Sequence, residues 1–315
     1  MKKIIVTSPF IENILPFQRP IYEIAKAMNF CCEELISIPR WSHYFIFNYP
    51  VNFRIPFLQK KNIARLQFVS GTHPEPMIFP YAYRNEIIPM IWDCWPDFVP
   101  RMMSLFKRCN IKVAFFTSKQ TTDLFSNSFP QKKIYFLPEA INTALYYQGG
   151  NLEARDVDVL EYGRLYMAAH EQLLQIPNLR HEFSEEGKHL FASFDDLARR
   201  IANTKIVVCY PRSVTHPDMA KGIETLTQRY WECMYSGALV VGKAPQELVD
   251  LLGYNPVIDA DVDELKETIP YILRNLASYQ DLADRNKAIA SQIGDWKARF
   301  KSVEEILSQL GYSLK

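Results

Sequence analysis

Residues 221–242 read KGIETLTQRYWECMYSGALVVG, and the fold turns on this stretch. It predicts a helix over roughly 225–236 that ends at Ser236-Gly237, where glycine supplies the left-handed cap. A short apolar strand, Ala238–Gly242, follows at once. An apolar run without polar alternation suits a strand buried on both faces of a parallel sheet. Helix, glycine cap and buried strand together are the repeating unit of an α/β domain.

The same alternation continues in both directions. Upstream, Val157–Tyr162 and Lys205–Cys209 read as strands, with helices over Leu165–Gln175 and Phe194–Asn203. Downstream come a helix over Pro245–Leu252, a short strand near Pro256–Ile258 and a helix over Val262–Asn275. A first series precedes these. Its strands are Lys3–Thr7, Ile87–Trp92, Lys112–Thr117 and Lys133–Leu137, and its helices are Arg19–Met28, Pro96–Arg108 and Lys119–Ser126. Pro96 and Asp97 fit a helix start. Between the series, Gln148–Asp156 carries two glycines and three charges and reads as a linker. Trp296, Phe300, Val303, Ile306, Leu307 and Leu310 share one face of a last helix, with Asp295 placed as its N-cap. The expected domains are therefore 1–150, 151–290 and a C-terminal helix over 291–315. Two Rossmann-like parallel-sheet domains are expected to face a cleft, with ligand bound beyond the carboxyl ends of the strands. At this level a glycosyltransferase, an epimerase, a kinase-like fold and a solute-binding protein all stay open.

Composition narrows the choice. The chain has 315 residues, enough for two domains, with 48% hydrophobic and 23% charged side chains. Its 36 basic and 35 acidic residues give a net charge of +1, which lacks the basic excess of a general nucleic-acid binder. No apolar run reaches the ~18 residues of a membrane span. MKKIIVTSPF is too short in its apolar part for a signal peptide and reads as the first strand. The six cysteines show neither CxxC nor zinc-finger spacing, so free thiols in a cytoplasmic setting are expected. Residues 41–61 (WSHYFIFNYPVNFRIPFLQKK) mix aromatics with Arg54, Lys60 and Lys61. That mixture fits a buried strand pair with its loop, or a surface for an acceptor or for peripheral contact with a membrane.

The chemistry concentrates around Glu224 and Glu232, eight residues apart. Glu224 lies on the approach to the helix N-terminus, where free N–H groups and positive potential favour a diphosphate. Glu232 lies inside the helix, where a carboxylate can accept hydrogen bonds from sugar or ribose hydroxyls. A Glu, seven residues, Glu, then glycine and a strand resembles the retaining GT-B glycosyltransferases of family 4 and their group-1 relatives. The form Arg229-Tyr-Trp-Glu232 looks nearest to the spore-maturation-type branch. Val157–Leu165 (VDVLEYGRL) resembles the strand with a Gly-Arg pair that opens the second domain of that family. Ile88–Asp93, Lys112–Ser118 and Lys132–Pro138 match its strand order in the first domain.

The resemblance implies transfer of a sugar from a nucleotide-diphosphate donor to a glycan or lipid-linked acceptor, with retention and without metal or other cofactor. Polysaccharide biosynthesis is the setting it suggests. Gly163 and Arg164 would meet the diphosphate, Glu224 the donor sugar and Glu232 the ribose. Thr225, His216 and Arg229 join the donor-side candidates, and Asp93 takes an acceptor-side role. The chain departs from the family in two places. The usual lysine after the Gly-Arg pair falls near Ala169, so Lys221 is the substitute cation, with Arg212 and Arg229 behind it. The usual Gly-Gly loop after the first strand is Thr7–Asn13 here, without glycine. His73 and His216 lack metal-ligand spacing, so no metal cluster is expected. A nucleotide-sugar epimerase and an inactive GT-B binding protein are the rival readings.

Overall fold

The computed structural model describes residues 1–8, 18–34, 60–72, 74–78, 81–184 and 191–315. Pro9–Asn13, the aromatic segment up to residue 59 and His73 lie outside the described residues. No helix among the described residues is long and apolar enough to cross a membrane.

In chain order the elements are β1 (Lys2–Thr7), α1 (Gln18–Ala27), β2 (Cys32–Glu33), β3 (Ile63–Ser70), α2 (Pro74–Ile78), β4 (Glu86–Trp92), α3 (Val99–Arg108), β5 (Val113–Phe116), α4 (Lys119–Ser128) and β6 (Lys133–Phe136). There follow β7 (Val157–Leu160), α5 (Met167–Leu173), β8 (His181–Glu182), α6 (Phe194–Ala202), β9 (Thr204–Cys209), α7 (Arg212–Thr215), α8 (Pro217–Ala220), α9 (Gln228–Ser236), β10 (Leu239–Gly242), α10 (Gln246–Leu252) and β11 (Val257–Asp259). The chain ends with α11 (Leu265–Arg274), α12 (Gln280–Ile293), α13 (Trp296–Gln309) and β12 (Tyr312–Ser313). They form two compact units. Unit 1 comprises Met1–Pro138, Pro217–Ile223 and Trp296–Lys315; unit 2 comprises Glu139–His216 and Glu224–Asp295.

Unit 1 holds a parallel sheet ordered β12-β1-β3-β4-β5-β6, with β2 also paired to β1. Every residue of β4, EIIPMIW, is buried, as a central strand covered on both faces must be. One flank of the core is a ring cluster of Phe106, Phe116, Phe125 and Phe129, with centroids 4.7–6.1 Å apart. Another joins Trp92 to Trp296 and Trp296 to Phe300. At the amino ends of the strands Glu86 is wholly buried and accepts hydrogen bonds from Lys2 Nζ at 2.8 Å and from the Tyr312 hydroxyl. Lys112 Nζ lies 3.3 Å away. Burial pushes the Glu86 carboxyl up, but Lys2, Tyr312 and Lys112 outweigh it and hold the group below the usual carboxylate range.

Unit 2 holds a parallel sheet ordered β11-β10-β9-β7-β8. Gly237 caps α9 with φ +70°, and its N–H meets the carbonyls of Cys233 and Met234. The stretch Gln148–Asp156 belongs to the body of unit 2, and the units divide at Pro138/Glu139. Leu152 is fully buried and Arg155 is 4% exposed. The Arg155 guanidinium donates to the carbonyls of Gly150, Thr204 and Ser236, tying this stretch to β9 and to the last turn of α9. The two glycines that suggested a linker thus serve one buried arginine: Gly150 accepts from its guanidinium and Gly149 lies against it. Asp295 accepts from the backbone N–H of Thr143 at 3.1 Å and from its hydroxyl.

Candidate functional site

The carboxyl end of β7 makes a turn that brings several expected residues together. Gly163 sits at φ +73°, a conformation that favours glycine. Arg164, next in the chain, is exposed. Beneath the turn lies Arg229, from the first turn of α9: a β-carbon on Gly163 would stand 2.4 Å from Arg229 Nη2. The guanidinium lies over the Tyr162 ring at 5.1 Å. Burial works to lower the Arg229 pKa, but Cys209, Tyr162 and the Glu232 carboxylate outweigh it and the net shift is upward. A charged guanidinium under the turn adds positive potential where the free N–H groups of α9 begin.

Glu232 is one turn further along α9. Its Oε1 accepts from the Tyr146 hydroxyl at 2.6 Å and its Oε2 from the Tyr162 hydroxyl at 2.8 Å. The residue is 9% exposed. Burial, with the carboxylate beside them, raises both tyrosine pKa values. Both carboxylate oxygens are thus already engaged by protein, and through Tyr162 the glutamate reaches the residue that precedes Gly163.

Residues 224–227 are neither helix nor strand, and α9 starts at Gln228 rather than near Thr225. The chain there is held by side chains instead of helical hydrogen bonds. Glu224 Oε2 accepts from the backbone N–H of Gln246 at 2.8 Å, which caps α10, and Oε1 accepts from Ser213 Oγ at 3.3 Å. The backbone N–H of Leu226 donates to Glu247. Thr225 between them is buried. His216 is exposed, with Nδ1 2.9 Å from Thr215 Oγ1. Arg212 opens α7.

Two other expected residues belong to unit 1. Lys221, at φ +44°, forms an ion pair with Asp97. Asp93 follows β4 at φ +52°, an uncommon conformation for a residue with a side chain. Its carbonyl packs so closely on Gly71 that a β-carbon there would be 2.5 Å away.

One cluster has no counterpart in the sequence reading. Glu161, His170 and His181 converge in unit 2, with ligating atoms within 4.8 Å of one another. Their spacing, nine and then eleven residues, matches no short metal motif, which is why sequence alone does not single them out. Adjacent strands and the helix between them bring them together.

No family model and no curated protein matches the chain. Solved structures do. Sucrose-phosphate synthase from Thermosynechococcus elongatus is 13% identical, with 98% of this chain and 99% of that one covered at a TM-score of 0.61. Anabaena HepE, in complex with UDP and glucose, is 12% identical over 98% and 100%, at 0.58. A UDP-N-acetylglucosamine 2-epimerase is 12% identical over 98% and 97%, at 0.53. The chain has the GT-B fold. At such identities these GT-B neighbours establish architecture alone.

Proposed function

We propose that this GT-B protein is a glycosyltransferase that takes its sugar from a nucleotide-diphosphate donor bound in unit 2. The observation that carries the reading is the Gly163-Arg164 turn: an exposed arginine on a left-handed glycine at the carboxyl end of β7, with Arg229 beneath it. Arg164 offers a planar fork of donors suited to a diphosphate. Negative charge grows on that group as the glycosidic bond breaks, so a fixed cation there favours the transition state. A HepE structure contains UDP-glucose, which makes a uridine donor the first to try.

In this reading Glu224 addresses the donor sugar while anchoring α10. Glu232 holds Tyr146 and Tyr162, and meets the ribose by exchanging one tyrosine for a sugar hydroxyl. Thr225 and His216 flank the donor, Asp93 serves the acceptor, and Lys221 and Arg212 are secondary cations. Retention, family 4 membership, a metal-independent transfer step and a glycan or lipid-linked acceptor follow from the resemblance in sequence.

The test is a thermal-shift screen against UDP, GDP, CDP and dTDP and their sugars. A ligand at a hundred times its dissociation constant adds about 2.7 kcal/mol to the folded state. One nucleotide family should stabilise the protein, and Arg164→Ala should abolish the shift. No shift with any nucleotide sinks the reading. Incubating the donor without acceptor separates the epimerase, which would convert the sugar on the nucleotide. Glu224→Gln separates the inactive binder, which would lose affinity but has no turnover to lose.

A further inference from the structure

We propose that Glu161, His170 and His181 form a binding site for one divalent transition-metal cation of the zinc class, stapling the base of the Gly163-Arg164 turn. The three side chains come from three elements of unit 2. Glu161 follows β7 directly, His170 lies on α5, and His181 lies in β8, which pairs with β7 through Val159↔His181 and Leu160↔Glu182. His170 Nδ1 is 2.6 Å and His181 Nε2 is 2.8 Å from the same oxygen, Oε2 of Glu161.

Three features favour a cation there. First, both imidazole nitrogens aim at one point instead of dividing over the two carboxylate oxygens. Second, the carboxylate is buried, and its ion-pair partners among the described residues are these two histidines and no lysine or arginine. A buried carboxylate with no lysine or arginine beside it is costly in a low-dielectric setting; a divalent ion would offset that cost. Third, Phe183 packs on both rings, 4.5 Å from His170 and 4.8 Å from His181, which fixes their planes and limits water.

Two imidazoles and a carboxylate suit zinc and its neighbours rather than magnesium or calcium, which prefer oxygen. Such ions take nitrogen at about 2.0–2.1 Å and oxygen at about 2.0–2.2 Å, so the nitrogen–oxygen contacts of 2.6 and 2.8 Å must open to roughly 3.3 Å to seat one. Water completes the sphere. The staple would lock the end of β7, one residue before Tyr162, and does not depend on the glycosyltransferase reading.

The experiment uses the full chain, stripped with chelator and titrated with Co²⁺, then Zn²⁺. The expected result is one Co²⁺ per chain with visible d–d absorption and no thiolate charge-transfer band. Zn²⁺ should displace it and raise the melting temperature, and Mg²⁺ should do neither. His181→Gln keeps size and hydrogen-bonding capacity and should weaken the metal by at least about tenfold, the scale on which even supporting residues act. Absence of Co²⁺ binding to the wild-type chain overturns the proposal without reference to any variant. A thiolate band, or equal binding by a correctly folded His181→Gln, places the metal on cysteine or elsewhere and overturns it too.

Discussion

Replacing Gly163 by alanine should destabilise the protein through two separable effects. The residue sits at φ +73°, and a left-handed conformation costs an L-residue about 1–2 kcal/mol. The new β-carbon would stand 2.4 Å from Arg229 Nη2, so the guanidinium must leave its place over Tyr162. A desolvated cation–π contact of that kind is worth about 1–2 kcal/mol. Together they predict a loss of about 2–4 kcal/mol, or a fall in melting temperature of about 4–16 °C for a domain of this size. Calorimetry or urea unfolding reads the loss directly. A cycle with Arg229→Ala tests its origin: with the guanidinium gone the clash disappears, so the double variant should be more stable than the sum of the singles by about 1–2 kcal/mol. Gly163→Ala within about 0.5 kcal/mol of wild type, or strict additivity, refutes the reasoning.

Glu86→Gln should cost about 3 kcal/mol at neutral pH, the low end for breaking a buried pair because Lys2 is 20% exposed. The folded Glu86 pKa is depressed, so its contribution is present above the unfolded value of about 4.3 and is lost as pH falls through the folded value. Unfolding curves of wild type and variant should therefore converge in acid, and a difference independent of pH contradicts this. Glu232→Gln should lose about 1.5–3 kcal/mol, because one tyrosine hydroxyl then faces an amide N–H₂ instead of a carboxylate oxygen. Tyr146→Phe in the Glu232→Gln background should cost less than Tyr146→Phe alone; denaturant titration of the four proteins decides it.

Much of the sheet was legible in the sequence. All eight strands marked by continuous apolar runs are present, with ends within about two residues, the usual scatter of such boundaries. β3 escaped because Arg65, Gln67 and Ser70 interrupt its apolar run, yet all three are buried. Arg65 manages this by pairing with Glu33 at 2.8 Å and lying 3.7 Å over the Tyr81 ring. α12 escaped for the opposite reason: it packs with Ala283, Asn286 and Ala290, which make no hydrophobic stripe. At the site, the motifs name the residues expected near the donor but not the partners those residues have in the structure. Nothing in the spacing of Tyr146, Tyr162 and Glu232, or of Glu161, His170 and His181, announces a contact. Such contacts arise from sheet order, which a linear pattern does not encode. The helix start at Gln228 was misplaced because the hydrogen bonds of 224–227 run to Glu247 and Gln246, outside the local window.

Unit 1 is built from segments that lie on both sides of unit 2 in the chain, Met1–Pro138 before it and Trp296–Lys315 after it. Its sheet is flanked by β12, and Trp296 and Phe300 fill its interior beside Trp92 and Phe30. During synthesis from the amino end, residues 1–138 therefore wait until unit 2 has been made for this edge and these rings. Unit 2 has its last residue at Asp295, so its residues are all synthesised before Trp296–Lys315 can join unit 1. A chain truncated after residue 295 should hold one finished domain and one with an exposed aromatic face, a state that invites chaperones.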